Sequence, residues 1–168
     1  MKFATEDNFV EIFELFKRNQ KFFPNIRMGH ILRSIQQNKC IFKDGVVIIF
    51  NISQSTTKIG KITTSKKTDC HINQILALKN DGSASKLLKQ FFNYIALLPY
   101  TSGEIYLNVR IDNYRAKKFY ERSGMKLIDS TTWNNGKIQG YVYHIKLNKY
   151  VSKKLDPFLP GFDASKVV

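Results

Sequence analysis

The sequence predicts a single α/β domain on a mixed sheet of about six to seven strands, flanked by about four helices. Three observations lead there. Segments of helical and of two-residue apolar periodicity alternate along the chain. Residues 71 to 110 read as strand, helix, strand, the connection that joins parallel neighbours. With 168 residues, 43% of them hydrophobic and 24% charged, the chain is long enough for one substantial core.

Each element has its own signal. Thr5-Glu6-Asp7-Asn8 opens a first helix with an acidic turn that suits the helix dipole. Phe9, Ile12, Phe13 and Phe16 recur at helical spacing, and Lys17-Arg18 closes the run. Phe22 to Pro24 break the pattern. Met28, Ile31, Leu32 and Ile35 then predict a second short helix ending near Asn38. Cys40-Ile41-Phe42 meets Asp44-Gly45, a two-residue hairpin signal. Val46 to Phe50 is apolar throughout, so this strand is expected to be central and covered on both faces. Residues 51 to 58 read as polar turn, and Lys61 to Ser65 as a short further strand able to pair. His71 to Leu78 is the next strand. The helix after it carries Leu87, Leu88, Phe91, Phe92 and Ile95 as its buried stripe.

Pro99 to Gly103 is a turn. In the following strand Ile105, Leu107 and Val109 share one face, and Tyr106, Asn108 and Arg110 the other. Asp112-Asn113 leads into a helix that sets Asn113, Ala116, Phe119 and Tyr120 on related faces and stops at Gly124. Lys126 to Thr132, the turn Asn134-Asn135-Gly136 and Ile138 to Leu147 form a closing hairpin. The domain is expected over residues 1–150. Residues 151–168, with two prolines and little periodicity, read as a C-terminal tail.

Composition narrows the setting. No run of eighteen apolar residues exists, so no membrane span is expected. The N-terminus carries acids where a secretion signal needs an apolar stretch. Cys40 and Cys70 lack metal-ligand spacing and read as reduced thiols of a cytoplasmic protein. The net charge of +14 suits a nucleic acid, a membrane surface or a phosphate-bearing cofactor, and equally a surface filled with lysine. Its densest clusters are Lys58 to Lys67, Arg110 to Lys126 and Lys146 to Lys154.

Two segments carry chemistry. The loop Asn80-Asp81-Gly82-Ser83-Ala84 can turn backbone N–H groups toward one point at a helix start, where the dipole favours an anion. Gly82 and Ala84 allow close backbone approach, and Lys79 and Lys86 add charge. An ordinary capped helix after a tight turn gives the same pattern.

Lys79 to Ala84 is written K-x-x-G-x-A, and the stretch Ile105 to Met125 runs strand, N-x-x-A-x-x-F-Y-E-R, G-M. In that order the two motifs resemble the GNAT N-acetyltransferases, over about residues 40 to 147. Lysine stands where the family loop usually begins with Gln or Arg. The longer, proline-containing approach to that loop is missing, which leaves fewer residues to grip a cofactor. The resemblance implies an acyl-CoA-dependent N-acyltransferase, joining acetyl-CoA or another acyl-CoA and an amine acceptor in one ternary complex. It implies that Lys79, Asn80, Asp81, Gly82, Ser83, Ala84 and Ser85 hold the cofactor's pyrophosphate. The main chain at Leu76, Ala77 and Leu78 would pair with the pantetheine amides as an added strand. Asn113 would hydrogen-bond the pantetheine arm. Tyr120 would lie near the sulfur and protonate the departing thiolate, a role open to a phenol that is neutral at pH 7.

The general base has the thinnest signal. Asp69 to Ile75 contains no Glu. His71 is the titratable candidate by its intrinsic pKa, with Asp69 to orient or replace it and Asn73 or Gln74 to orient a water or the substrate. A strand-edge histidine satisfied by solvent fits the same residue, and His144 offers a second imidazole.

For the acceptor, Arg27 and Lys58 to Lys67, with Phe22, Phe23, Trp133 and Tyr141, mix cations with aromatics. That mixture suits an anionic or nucleobase-bearing molecule. The chain is similar in general terms to phage DNA-modification enzymes of the Mom type. A catalytically inactive nucleic-acid-binding module or a structural protein of the same fold stays open, as does the choice between monomer and homodimer.

Overall fold

The structure, a computed structural model, describes residues 1–24 and 26–149. The expected tail at 151–168 lies outside the described residues. A 3-10 turn (Glu6–Asn8) leads into α1 (Phe9–Arg18), followed by α2 (Met28–Gln36), β1 (Cys40–Lys43) and β2 (Val46–Ile52). A two-stranded ribbon of β3 (Thr57–Lys58) and β4 (Thr64–Ser65) precedes β5 (Cys70–Ala77) and α3 (Ser83–Leu97). Then come β6 (Glu104–Arg110), α4 (Tyr114–Arg122), β7 (Lys126–Trp133) and β8 (Ile138–Lys146).

β2 explains why the layers form. Its continuous apolar run sends Val46, Ile48 and Phe50 to one core and Val47 and Ile49 to the other. On the first side lie Leu87, Leu88, Phe91, Phe92 and Ile95 of α3, with Tyr120 of α4. On the second lie Ile12, Leu15 and Phe16 of α1 and Ile31 and Ile35 of α2. Each such side chain, fully buried, contributes roughly 1.5–3 kcal/mol. The β1–β2 turn places Asp44 and Gly45 at φ 52 and 71, the left-handed pair that a two-residue hairpin favours. Asn134, Asn135 and Gly136 do the same between β7 and β8, at φ 52, 54 and 85.

The main sheet has six strands in the order β1-β2-β5-β6-β8-β7. Only β5 and β6 are parallel, joined by the α3 crossover. The strand expected at Lys61 to Ser65 does not join this sheet. Thr64–Ser65 pairs instead with Thr57–Lys58, inside the stretch expected to be turn. The segment is short and polar, so it offers no apolar face to bury in a sheet interior.

Two irregularities in β5 create the gap that matters. Against β2, Ile49 pairs with Gln74 but Phe50 pairs with Ile72, so Asn73 is an extra residue, a β-bulge that bends the strand. On its other edge β5 pairs with β6 only through Cys70, His71 and Ile72. Beyond Ile72 the two strands separate.

Candidate cofactor cleft

The separation of β5 and β6 leaves a cleft of about 240 Å³. Asn19, Phe22 and Phe23, from the end of α1, wall it on one side of the sheet. Asn113, Ala116, Phe119 and Tyr120 wall it on the other. Ile75, Leu76 and Ala77 of β5 form an edge between them, and Lys79, Asn80, Gly82, Ala84 and Ser85 close the top. The cleft is therefore a gap in the sheet itself, bounded by both helical layers. Along Ile75 to Ala77, β5 is paired on its β2 side only, which leaves main-chain groups on the cleft side for an extended ligand.

The loop gives this cleft an anion-binding end. Gly82 sits at φ 86, and a Cβ built there meets nothing within 4 Å, so the backbone lies open to a ligand. The amides of a helix's first turn have no partner inside the helix. That of Ser83 donates to Asp81 Oδ1 at 3.0 Å, while Ala84 and Ser85 line the cleft. Lys79, Arg115 and Arg122 bring cations to the same cleft. Leu78 is turned away, its N–H donating to the Gly45 carbonyl at 3.2 Å. Of the loop residues singled out from the sequence, Asp81 and Ser83 shape the turn but do not line the cleft.

α4 supplies the opposite wall. Asn113 caps it, the side-chain oxygen accepting from Ala116 N–H at 3.1 Å. Its carboxamide NH2 is left to donate elsewhere. The helix ends where Gly124 turns to φ 86. Tyr120 is 8% exposed, and its ring lies 5.4 Å from Phe119 and 6.0 Å from Tyr143. Burial pushes its phenol above the ordinary value, so it is fully protonated at neutral pH. Among the described residues Tyr120 has no hydrogen-bond partner, and it lines the cleft.

No family model and no curated protein matches the sequence. Solved structures do match. The loading GNATL domain of CurA from Lyngbya majuscula superposes with a TM-score of 0.69 at 11% identity, covering 86% of this chain and 96% of that one. A GNAT-family acetyltransferase from Bacillus cereus gives 0.60 at 15% identity, over 86% and 94%. Arabidopsis thaliana NAA60 in complex with acetyl-CoA gives 0.62 at 11% identity, over 86% and 96%.

The chain has the GNAT fold. At these identities the likeness is one of architecture, and the chemistry rests on this chain's own side chains.

In this GNAT sheet the imidazoles lie away from the cleft lining. His71, Tyr106 and His144 are cross-strand neighbours in one row, on the face opposite α3 and α4. The His71 ring stacks on Tyr106 at 5.7 Å, and Tyr106 lies 4.8 Å from His144. Burial lowers the His71 pKa, against a smaller upward pull from Asp69. Its Nε2 is buried without a partner, as is Gln74 Oε1 on the same face. Asp69, 2% exposed, accepts from Lys66 N–H at 2.6 Å and Ser102 Oγ at 2.7 Å, and forms no bond to His71. His144 Nε2 pairs with Glu104 at 2.5 Å, and Lys146 adds a contact at 3.1 Å. Burial alone would raise the Glu104 carboxyl, but these bonds outweigh it and hold the group below its usual range.

Several cleft residues carried no signal that sequence reasoning used. Arg115 and Arg122 read as ordinary helix charges, and Asn19 as part of a helix end. Outside the two motifs, the apolar loop pair Phe22-Phe23 stood out, as acceptor-side aromatics. Tyr141 is not with them, since it packs on the α4 side under Lys117 at 5.3 Å. Cys40 and Cys70 are both buried, and desolvation raises both thiols, Cys40 to about 12.

Proposed function

We propose that the chain is an acyl-CoA-dependent N-acyltransferase that moves an acyl group, in the simplest case acetyl, directly onto an amine. One observation carries this reading. The gap between β5 and β6 is bounded at once by an open glycine turn at a helix start, a free strand edge, and a buried phenol. Those are the groups a phosphate-ended, amide-bearing thioester needs, in the order it needs them. The Arabidopsis structure that shares the fold holds acetyl-CoA.

Gly82, Ala84 and Ser85 would receive the pyrophosphate, with Lys79, Arg115 and Arg122 offsetting its charge. Ile75 to Ala77 and the Asn113 carboxamide would hold the pantetheine amides. Acetyl-CoA supplies an acyl group already activated as a thioester. A phenol raised above about 10 is a weaker acid than a thiol near 8.5. Tyr120 therefore acts by keeping a hydrogen bond on the sulfur as negative charge develops there. Among the described residues the cleft is lined by no Asp or Glu. His71, neutral at pH 7 and with a partnerless nitrogen, is the group proposed to take the amine proton through water. Its place outside the cleft lining makes that relay indirect.

Isothermal titration with acetyl-CoA tests the reading. Saturable binding at micromolar to sub-millimolar concentration is expected, and no binding at millimolar cofactor would overturn it. The second reading, a binding module without catalysis, is favoured by the missing carboxylate. It predicts that no amine accelerates CoA release from bound acetyl-CoA.

A further inference from the structure

The acyltransfer reading leaves the β3–β4 ribbon without a task. Residues 57–67 contain four lysines, Lys58, Lys61, Lys66 and Lys67, and no acid. All four are exposed, and among the described residues none forms an ion pair. Nearby carboxylates do not pair with them. Asp69 is buried on Lys66 N–H and Ser102, and Glu104 is taken by His144 and Lys146. Asp129 accepts from the amides of Ile62 at 2.9 Å, Thr63 at 2.8 Å and Ser130 at 2.7 Å. None of the three carboxylates pairs with a ribbon lysine, and the lysine ammonium groups face solvent.

The ribbon is also fixed in place. Lys61 N–H donates to the Ser130 carbonyl at 2.8 Å, and Asn108 Nδ2 reaches the Ile59 carbonyl at 3.3 Å. Gly60 lies so close to Asp129 that a Cβ there would stand 2.2 Å from Oδ2. Asn108 alternates with Leu107 and Val109 of the α3–α4 core, so the ribbon covers the opposite face, the one that carries His71 and Tyr106. At its tip Ile62 is 86% exposed beside Lys61, and Phe22, 55% exposed, lines the cleft on that same side of the sheet.

We propose that the β3–β4 ribbon is a docking arm for the phosphate backbone of a nucleic acid, laid across the face from which an acceptor reaches the cleft. The proposal rests on the acyltransferase reading in one respect, that the docked strand carries the amine to be acylated. Unpaired lysines on an anchored ribbon suit a regular polyanion, because the backbone that carries them needs little further ordering on binding. The exposed Ile62 and Phe22 suit bases, which present flat apolar faces, better than an acidic peptide. A lipid surface is disfavoured, since Ile62 and Phe22 together bury less apolar area than even a single acyl chain, which itself anchors only marginally.

The test is fluorescence anisotropy with labelled single-stranded and duplex oligonucleotides over a salt series. It compares the wild type, the variant K58Q/K61Q/K66Q/K67Q and the same four lysines changed to arginine. Wild type and the arginine variant are expected to bind with a steep salt dependence. The glutamine variant should lose on the order of 10²-fold or more in affinity at about 0.1 M salt, with a log–log slope shallower by about 3 to 4. Its melting transition and its acetyl-CoA titration should match those of the wild type. An unchanged slope in the glutamine variant overturns the proposal. Equal competition by polyglutamate, or preferential binding to anionic lipid vesicles, also overturns it. Nucleic-acid binding with no acetyl-CoA binding would leave the arm in place and remove the acyltransferase reading alone.

Discussion

Asn113 does two jobs with one side chain. Its oxygen is spent on the α4 cap at Ala116, so only the NH2 is free for a ligand. The motif showed that an asparagine belongs at this helix start, and not how its two polar atoms would be divided. Asn113→Ala should cost about 1 kcal/mol of stability through the lost cap, read as a lower melting temperature, and weaken acetyl-CoA binding at the same time. Loss of stability with unchanged cofactor affinity would confine the residue to capping. Tyr120→Phe tests the phenol. Turnover should fall by roughly 10²-fold while acetyl-CoA affinity stays nearly intact; an unchanged rate removes Tyr120 from the chemistry. For His71, burial depresses the folded pKa. Below about 6.5 the unfolded chain binds a proton that the folded chain resists. The histidine's contribution is therefore full above that pH and lost as pH falls. Denaturant titrations at a series of pH values should show a stability slope that His71→Gln flattens.

Among the elements, helices and core strands were legible because apolar periodicity records burial directly. Val46 to Phe50 announced a strand covered on both sides, and Leu87 to Ile95 a helix with one buried stripe. The ribbon was only half legible: Lys61 to Ser65 looked extended, but its partner is a polar stretch with no apolar alternation to mark it. What holds it is tertiary, the Asp129 carboxylate on a strand some sixty residues later. Hydrogen bonds from the amides of Ile62 first, then Thr63 and Ser130, hold that carboxyl at about 2. A depressed folded pKa means that this contribution is present above about 4 and lost as pH falls toward 2. Amide exchange at Ile62 and Thr63 should accelerate in Asp129→Ala at neutral pH, with the helices unaffected; equal protection in the variant would mean that the ribbon is held by other bonds. Gly140 tests the closing hairpin. A Cβ there would meet the Trp133 ring at 2.4 Å and the Val109 carbonyl at 2.7 Å. Because the carbonyl belongs to a neighbouring strand, Gly140→Ala should cost roughly 1–3 kcal/mol, measurable by thermal or denaturant unfolding.

At the scale of the whole molecule, the cleft depends on features that no local pattern shows. The K-x-x-G-x-A loop and the Asn113 to Tyr120 helix were readable as motifs, and their order along the chain placed them on neighbouring strands. The space between them comes from a single extra residue, Asn73, and from pairing that stops at Ile72. Bulges and splayed edges are settled between strands, so a single sequence carries little trace of them. The imidazoles show the same limit. His71 lies in the stretch where a base was sought, yet strand phase turns it toward Tyr106 and His144, away from the cleft lining. We infer that a gap walled by both layers takes the cofactor from one face of the sheet and the acceptor from the other. On the proposed reading, CoA and the acylated product depart in opposite directions without passing one another. Steady-state inhibition should carry that signature, with CoA competing against acetyl-CoA alone and the acylated product against the acceptor alone.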